Sequence, residues 1–121
     1  MILVDTQILL WALSDDPRLT PRMRDLLQDN DLRFLSAVSI WEIEIKRAVG
    51  KLWVDGDIVD IATRTGFTAL AITWDHAAEA GRLPPHHADP FDRLLIAQGR
   101  LEKLPILTAD ESFAAYDVAL A

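Results

Sequence analysis

Four acidic residues stand where shared chemistry is possible: Asp5, Glu42, Asp92 and Asp110. Each closes a short apolar run or sits early in an amphipathic one, and 37, 50 and 18 residues separate them in turn. At such separations only a fold can gather them. Clustered carboxylates repel one another unless a cation or a shared proton neutralises them. A donor set that offers oxygen alone suits Mg2+ or Mn2+, hard ions that keep several waters and hold phosphate oxygens.

Each acid also has an ordinary explanation. Asp5 can cap the helix that follows it, and Asp110, ahead of Glu111 and Ser112, can open a last helical turn. Glu42 can pair with Lys46 one turn on. Asp92 falls at the third position of a helix whose natural cap is Asp89, where an acid complements the helix dipole. His86 and His87 lie in a loop beside Asp89 and offer imidazole to a metal, but adjacent loop histidines are more often solvated or structural, and His76, inside a helix, is a weaker candidate still. Trp11, Trp41, Trp53 and Trp74 offer faces to bases, although tryptophan on the apolar side of a helix usually belongs to a core or an interface. Lys46, Arg47 and Lys51 near Glu42, and Arg93 beside Asp92, suit either phosphates or a solvated helix face.

The elements that must position these residues follow from hydrophobic pattern. Met1 to Val4 is an apolar run that predicts a strand ending at Asp5, and TQILLWAL has helical spacing with Ile8, Leu9 and Leu13 on one side. Thr20 with Pro21 opens a second helix that runs to about Leu27 and ends at Asn30 and Asp31. Leu32 to Leu35 predicts a buried strand. The segment SAVSIWEIEIKRAVGKL predicts a helix with apolar positions 41, 45, 48 and 49, stopped by Gly50. A weaker helix spans Gly56 to Thr65, a short buried strand Phe67 to Ile72, and a further helix Trp74 to Gly81. After the loop RLPPHHADP the longest helix begins at Pro90, and Pro105 to Thr108 predicts a fourth strand. The tail suggests one helical turn and a short edge strand near Val118. Short apolar strands between amphipathic helices predict an α/β three-layer sandwich, a parallel sheet with helices on both faces. In open sheets of this kind ligands bind beyond the carboxyl ends of the strands, where Asp5 and Asp110 fall.

Composition narrows the classes further. A length of 121 residues predicts one domain, residues 1–121, and half of them are apolar, enough for a packed core. The absence of cysteine excludes disulfide frameworks, thiolate zinc sites and cysteine nucleophiles, and makes the reducing cytoplasm the simplest address. No apolar run reaches the roughly 18 residues of a membrane span, and an acid stands near the N-terminus where a signal peptide has bases. With 19 acids against 12 bases the formal net charge is −7, so the chain lacks the basic footprint of nonspecific nucleic-acid binding and must meet a polyanion locally. No glycine-rich loop suggests a dinucleotide.

The local sequence around the four acids resembles the PIN-domain family, most closely its VapC-type toxin ribonucleases. ILVDT matches the strand that ends in Asp and Thr, SIWEIEIKRAVGKL the helix with Glu42 ahead of a Gly-Lys-Leu turn, DPFDRLLIAQ the helix opened by Asp92, and ILTAD the strand end that carries Asp110. Glu44 is out of phase. The resemblance spans essentially the whole chain and implies a metal-dependent ribonuclease. Asp5, Glu42, Asp92 and Asp110 would be its catalytic, metal-holding residues, Thr6 and Thr108 would orient ligands or water, and Mg2+ or Mn2+ would be the cofactor. It further implies a 5′-phosphate product, a homodimer and a cognate antitoxin that blocks the site. Two alternatives compete with this reading. A receiver-like signalling domain is also an acidic, Mg2+-binding α/β chain, but it resembles a pattern of paired acids and a late lysine that are missing here. A PIN-like module that binds without cleaving would have no need of four mutually repelling acids.

Overall fold

The computed structural model describes residues 1–121. The chain runs β1 (Ile2–Val4), α1 (Thr6–Leu13), α2 (Pro21–Asp29), β2 (Arg33–Ser36), α3 (Ala37–Ala48), α4 (Ile58–Arg64), β3 (Thr68–Leu70), α5 (Trp74–Arg82), α6 (Pro90–Glu102) and β4 (Ile106–Leu107), then a 3-10 turn over Glu111–Ala115. The four strands form one parallel sheet in the order β3-β2-β1-β4. This is the expected α/β sandwich. Alternation along the strands feeds both faces. Leu3 and Ile106 enter a core with Val38, Leu95, Ile96 and Phe113, whereas Ile2, Val4 and Leu107 turn to the other side and meet Ile8, Leu19 and Leu27. A third cluster packs Leu35 against Leu9, Ile43 and Ile58.

The helices begin where sequence chemistry places them. Thr20 Oγ1 accepts from the Met23 amide at 3.2 Å with Pro21 as first helical residue, and Asp89 Oδ1 accepts from Phe91 and Asp92 amides at 2.8 and 3.2 Å ahead of α6. Ser36 ends β2 and caps α3 in one step, its hydroxyl accepting from the Val38 amide at 3.1 Å. Because the order reverses between β1 and β4, the carboxyl ends of these strands open a crevice. The Asp5 amide donates to the Leu107 carbonyl at 3.0 Å, so the residues following both strands lie side by side at its floor.

Four expectations are corrected. The second strand runs from Arg33 to Ser36 rather than Leu32 to Leu35, because Ser36 still pairs with Leu70 before it turns to cap, while Leu32 is exposed. The third strand is Thr68–Leu70 and is not buried: as the sheet's edge it leaves Thr68 and Ala69 open to solvent. On α3 the apolar positions 41, 45 and 49 face outward, and Val38, Ser39, Glu42 and Ile43 form the buried side. The most apolar side of α3 is thus the outward one, and the side that carries Ser39 and Glu42 is turned inward to the cleft. The tail does form a helical turn. Its predicted edge strand near Val118 reduces to a single bridge between Ile106 and Leu120. No helix is long and apolar enough to cross a membrane.

Candidate active site

The crevice holds a cleft of about 330 Å3 lined by Asp5, Glu42, Asp92 and Asp110, with Asp89 and Lys46 on its walls. Asp5 arrives from the end of β1, Glu42 from the buried side of α3, Asp92 from the first turn of α6, and Asp110 from the segment after β4. Four parts of the chain thus deliver four carboxylates to one opening.

Asp5 stands at the cap position of α1, yet its side chain makes no capping hydrogen bond. Its Oδ2 instead accepts from Thr108 Oγ1 at 2.7 Å, and the same Thr108 oxygen accepts from the Asp110 amide at 3.0 Å. Burial pushes the Asp5 carboxyl above the ordinary range, the Thr108 hydroxyl opposes this, and the negative Glu42 adds to the rise. The Thr6 hydroxyl makes no hydrogen bond to an acid. It donates to Ser39 Oγ at 2.7 Å and ties α1 to α3.

Glu42 is buried and its Oε2 accepts from Lys46 Nζ at 2.7 Å, so the anticipated helix pair exists at the cleft wall, with the lysine itself half exposed. That hydrogen bond, with the charges of Glu42, Asp89 and Asp92, outweighs desolvation and lifts the Lys46 pKa above the usual lysine value. Asp92 lies well inside the cleft. Desolvation, then the negative Asp89 and Asp5, push its carboxyl up to about 6, against the pull of His87. Partial burial raises Asp110, but the Ser112 hydroxyl and amide, both within 2.9 Å, together with His87 bring it below the usual range.

His87 is the residue that sequence reasoning undervalued. Its Nε2 lies 2.7 Å from Asp92 Oδ2 and 3.6 Å from Asp110 Oδ2, bridging the third and fourth acids. The loop that carries it is fixed from behind, since Tyr116 Oη accepts from the His87 amide at 2.8 Å and donates to the Pro84 carbonyl at 2.9 Å. The available signal was its place five residues before Asp92, across one capping turn. Arg93, by contrast, is not placed for phosphate: its guanidinium binds the carbonyls of Ala80, Leu83, Pro84 and His87 and pins that loop to α6. Arg47 is likewise held by Glu44 and the Gly56 carbonyl.

The donor chemistry fits a hard divalent cation. The acid side chains outnumber the one lysine among them, and Asp5 and Asp92 both resist ionisation there, a strain that a bound cation would relieve. Ligand atoms of His87, Asp92 and Asp110 all fall within 4.8 Å of one another. With its Nε2 already hydrogen-bonded to Asp92, His87 serves better to orient that carboxylate than to bind metal itself. The remaining donors are oxygens, as Mg2+ and Mn2+ prefer.

Comparison with known proteins agrees with this architecture. The PIN-domain family model matches residues 2–119, and the chain belongs to the PIN-domain family. Among solved structures it is similar to a toxin-antitoxin complex from Klebsiella pneumoniae, at 19% identity over 100% of this chain and 97% of that one with a TM-score of 0.71. FitAcB from Neisseria gonorrhoeae aligns at 22% identity over 99% and 96%, with a TM-score of 0.72. VapBC2 from Rickettsia felis, bound to a promoter DNA fragment, aligns at 16% identity over 100% and 98%, with a TM-score of 0.69. These likenesses establish a shared fold. A search of curated proteins finds no significant match. The family match displaces the receiver-like alternative.

Proposed function

We propose that this PIN domain, taken as a single unit over residues 1–121, is a metal-dependent ribonuclease acting as the toxin of a toxin-antitoxin pair. The observation that carries the reading is the convergence of Asp5, Glu42, Asp92 and Asp110 on one cleft at the strand ends, with far too little positive charge inside to balance them. Asp5, Glu42 and Asp92 would hold one or two Mg2+ or Mn2+ ions, directly or through water, and Asp110 would complete the set. Such a cation supplies charge that activates water and stabilises the crowded phosphate and the departing oxygen.

The protein's own groups do the positioning. Thr108 holds Asp5 Oδ2 and the Asp110 backbone together, while Thr6 and Ser39 lock the two helices that flank Asp5 and Glu42. His87 shares a proton with Asp92 at Oδ2 and keeps that carboxylate turned toward Asp110. Lys46 stands at the cleft wall, where a phosphate oxygen can displace part of its bond to Glu42. Hydrolysis in this arrangement leaves a 5′-phosphate, as the family resemblance implies.

An antitoxin partner is proposed because the similar structure from Klebsiella pneumoniae is itself a toxin-antitoxin complex. A homodimer and a cytoplasmic location complete the proposal. The test is cleavage of RNA by protein purified free of any antitoxin, with Mg2+ or Mn2+ and again after chelation. Cleavage that the chelator silences is expected; activity undiminished by metal removal would refute the mechanism. RNA binding with no cleavage of any RNA tried under either metal would favour the non-catalytic PIN-like module.

A further inference from the structure

Beside the acid-lined cleft lies a second groove of about 600 Å3, and the two share Gln7, Leu10, Trp11 and Lys46. The two adjoin at these residues, and the character of the lining changes from one to the other. Beyond Lys46 the acids of the first cleft give way to Arg18 and Lys51, opposed by Asp16 and Asp55. Counting Lys46, the groove carries three cations against two acids, in a chain whose net charge is −7.

The state of these groups differs. Arg18 is spent on Asp16 at 2.7 Å and lies over the Trp11 ring at 5.0 Å, and Lys46 is held by Glu42. The Lys51 ammonium has no carboxylate within 4.0 Å. Next to it Trp53 lines the groove with 81% of its surface exposed. Trp11 adds a buried indole Nε1 that has no hydrogen-bond partner. A free ammonium and a bare indole two residues apart, in a groove adjoining the acid cleft, provide the two elements of single-strand recognition: a cation for the backbone and a π-face that accepts any base.

We propose that this groove holds a nucleotide flanking the cleaved bond of a single-stranded RNA, its base stacked on Trp53 and its phosphate met by Lys51. The inference rests on the nuclease reading and names where its substrate lies. Asp55 is the one lining acid without an ion pair, so the free charges nearly cancel; an RNA strand is favoured over an apolar antitoxin segment because, leaving the adjoining cleft, it uses Lys51 and Trp53 together, whereas the segment would use Trp53 alone.

The test measures binding of a short fluorescein-labelled single-stranded RNA of mixed sequence by anisotropy, in chelator so that no metal-dependent cleavage consumes it, with KM for the same RNA in Mg2+ as a second reading. Trp53→Ala is expected to weaken binding and raise KM by about tenfold or more, and Trp53→Phe to retain most of the affinity. Lys51→Ala should weaken binding and reduce the slope of log affinity against log salt by about one. Because Trp53 and Lys51 are exposed, circular dichroism of every variant should match the parent. Unchanged RNA binding in both Trp53→Ala and Lys51→Ala would overturn the proposal, as would loss of antitoxin binding in Trp53→Ala with RNA affinity intact. If the parent binds this RNA in a Trp53-dependent way but cleaves none, the groove assignment stands and the nuclease reading fails.

Discussion

Asp89 and Asp92 are three residues apart in one helical turn, and the structure gives them different work. Asp89 accepts two backbone amides and lines the cleft edge, whereas Asp92 makes no cap and is held inside by His87. Asp89→Ala should therefore cost the stability of a lost cap, about 0.5 to 2 kcal/mol, and lower the melting temperature while metal binding largely survives. Asp92→Asn should act oppositely. The folded Asp92 carboxyl titrates at about 6 against an ordinary 3.8, so folding takes up a proton there. Its contribution to stability is complete below about pH 4 and is lost as pH rises through 6. Metal-free protein should accordingly become less stable between pH 4 and 7, and Asp92→Asn should flatten that part of the profile, which thermal unfolding across pH will show. An unaltered slope in Asp92→Asn would assign the pH dependence to another group.

At the scale of elements, α6 matters most, because it carries Asp92 and packs its middle against β4. A Cβ added at Gly99 would lie 2.8 and 2.9 Å from Ile106 Cδ1 and Cγ1, and Ile106 is fully buried. Gly99→Ala should destabilise the fold by about 1 to 3 kcal/mol through overpacking, measured by denaturant unfolding, while activity per folded molecule is retained. A stability gain, as helix propensity alone would give, would show that α6 can slide away from β4. Element ends were the most legible feature of the sequence: Asp5 after an apolar run, Thr20-Pro21 and Asp89-Pro90 are local signals that survive into the fold. The buried side of α3 was not legible. The visible stripe, Trp41, Ile45 and Val49, is the outward one, and the burial of Ser39 and Glu42 is set by the cleft and by Thr6. His87 was legible only in part: Asp92 lies five residues on, but the second acid it faces, Asp110, is distant in the chain.

For the whole molecule, the outward face of α3 leaves Trp41, Ile45 and Val49 exposed one turn apart, with Phe91 packed edge-on to Trp41 at 5.4 Å. An apolar stripe of this kind marks an interaction surface. We expect light scattering to show a dimer that Trp41→Lys converts to monomer without loss of helicity; a strict monomer at high concentration would contradict the proposed homodimer.

Asp5, Glu42, Asp92 and Asp110 are proposed to hold one or two divalent cations in the cleft at the carboxyl ends of β1 and β4. Thermal unfolding with and without Mn2+ tests it most directly, because a ion bound only by the folded state raises the melting temperature with concentration. The parent protein should be stabilised by Mn2+, whereas Asp5→Asn and Asp92→Asn, each folded in the absence of metal, should lose most of that shift, and Asp89→Ala should keep it. Stabilisation by Mn2+ that persists in both Asp5→Asn and Asp92→Asn would place the ion elsewhere and contradict the account.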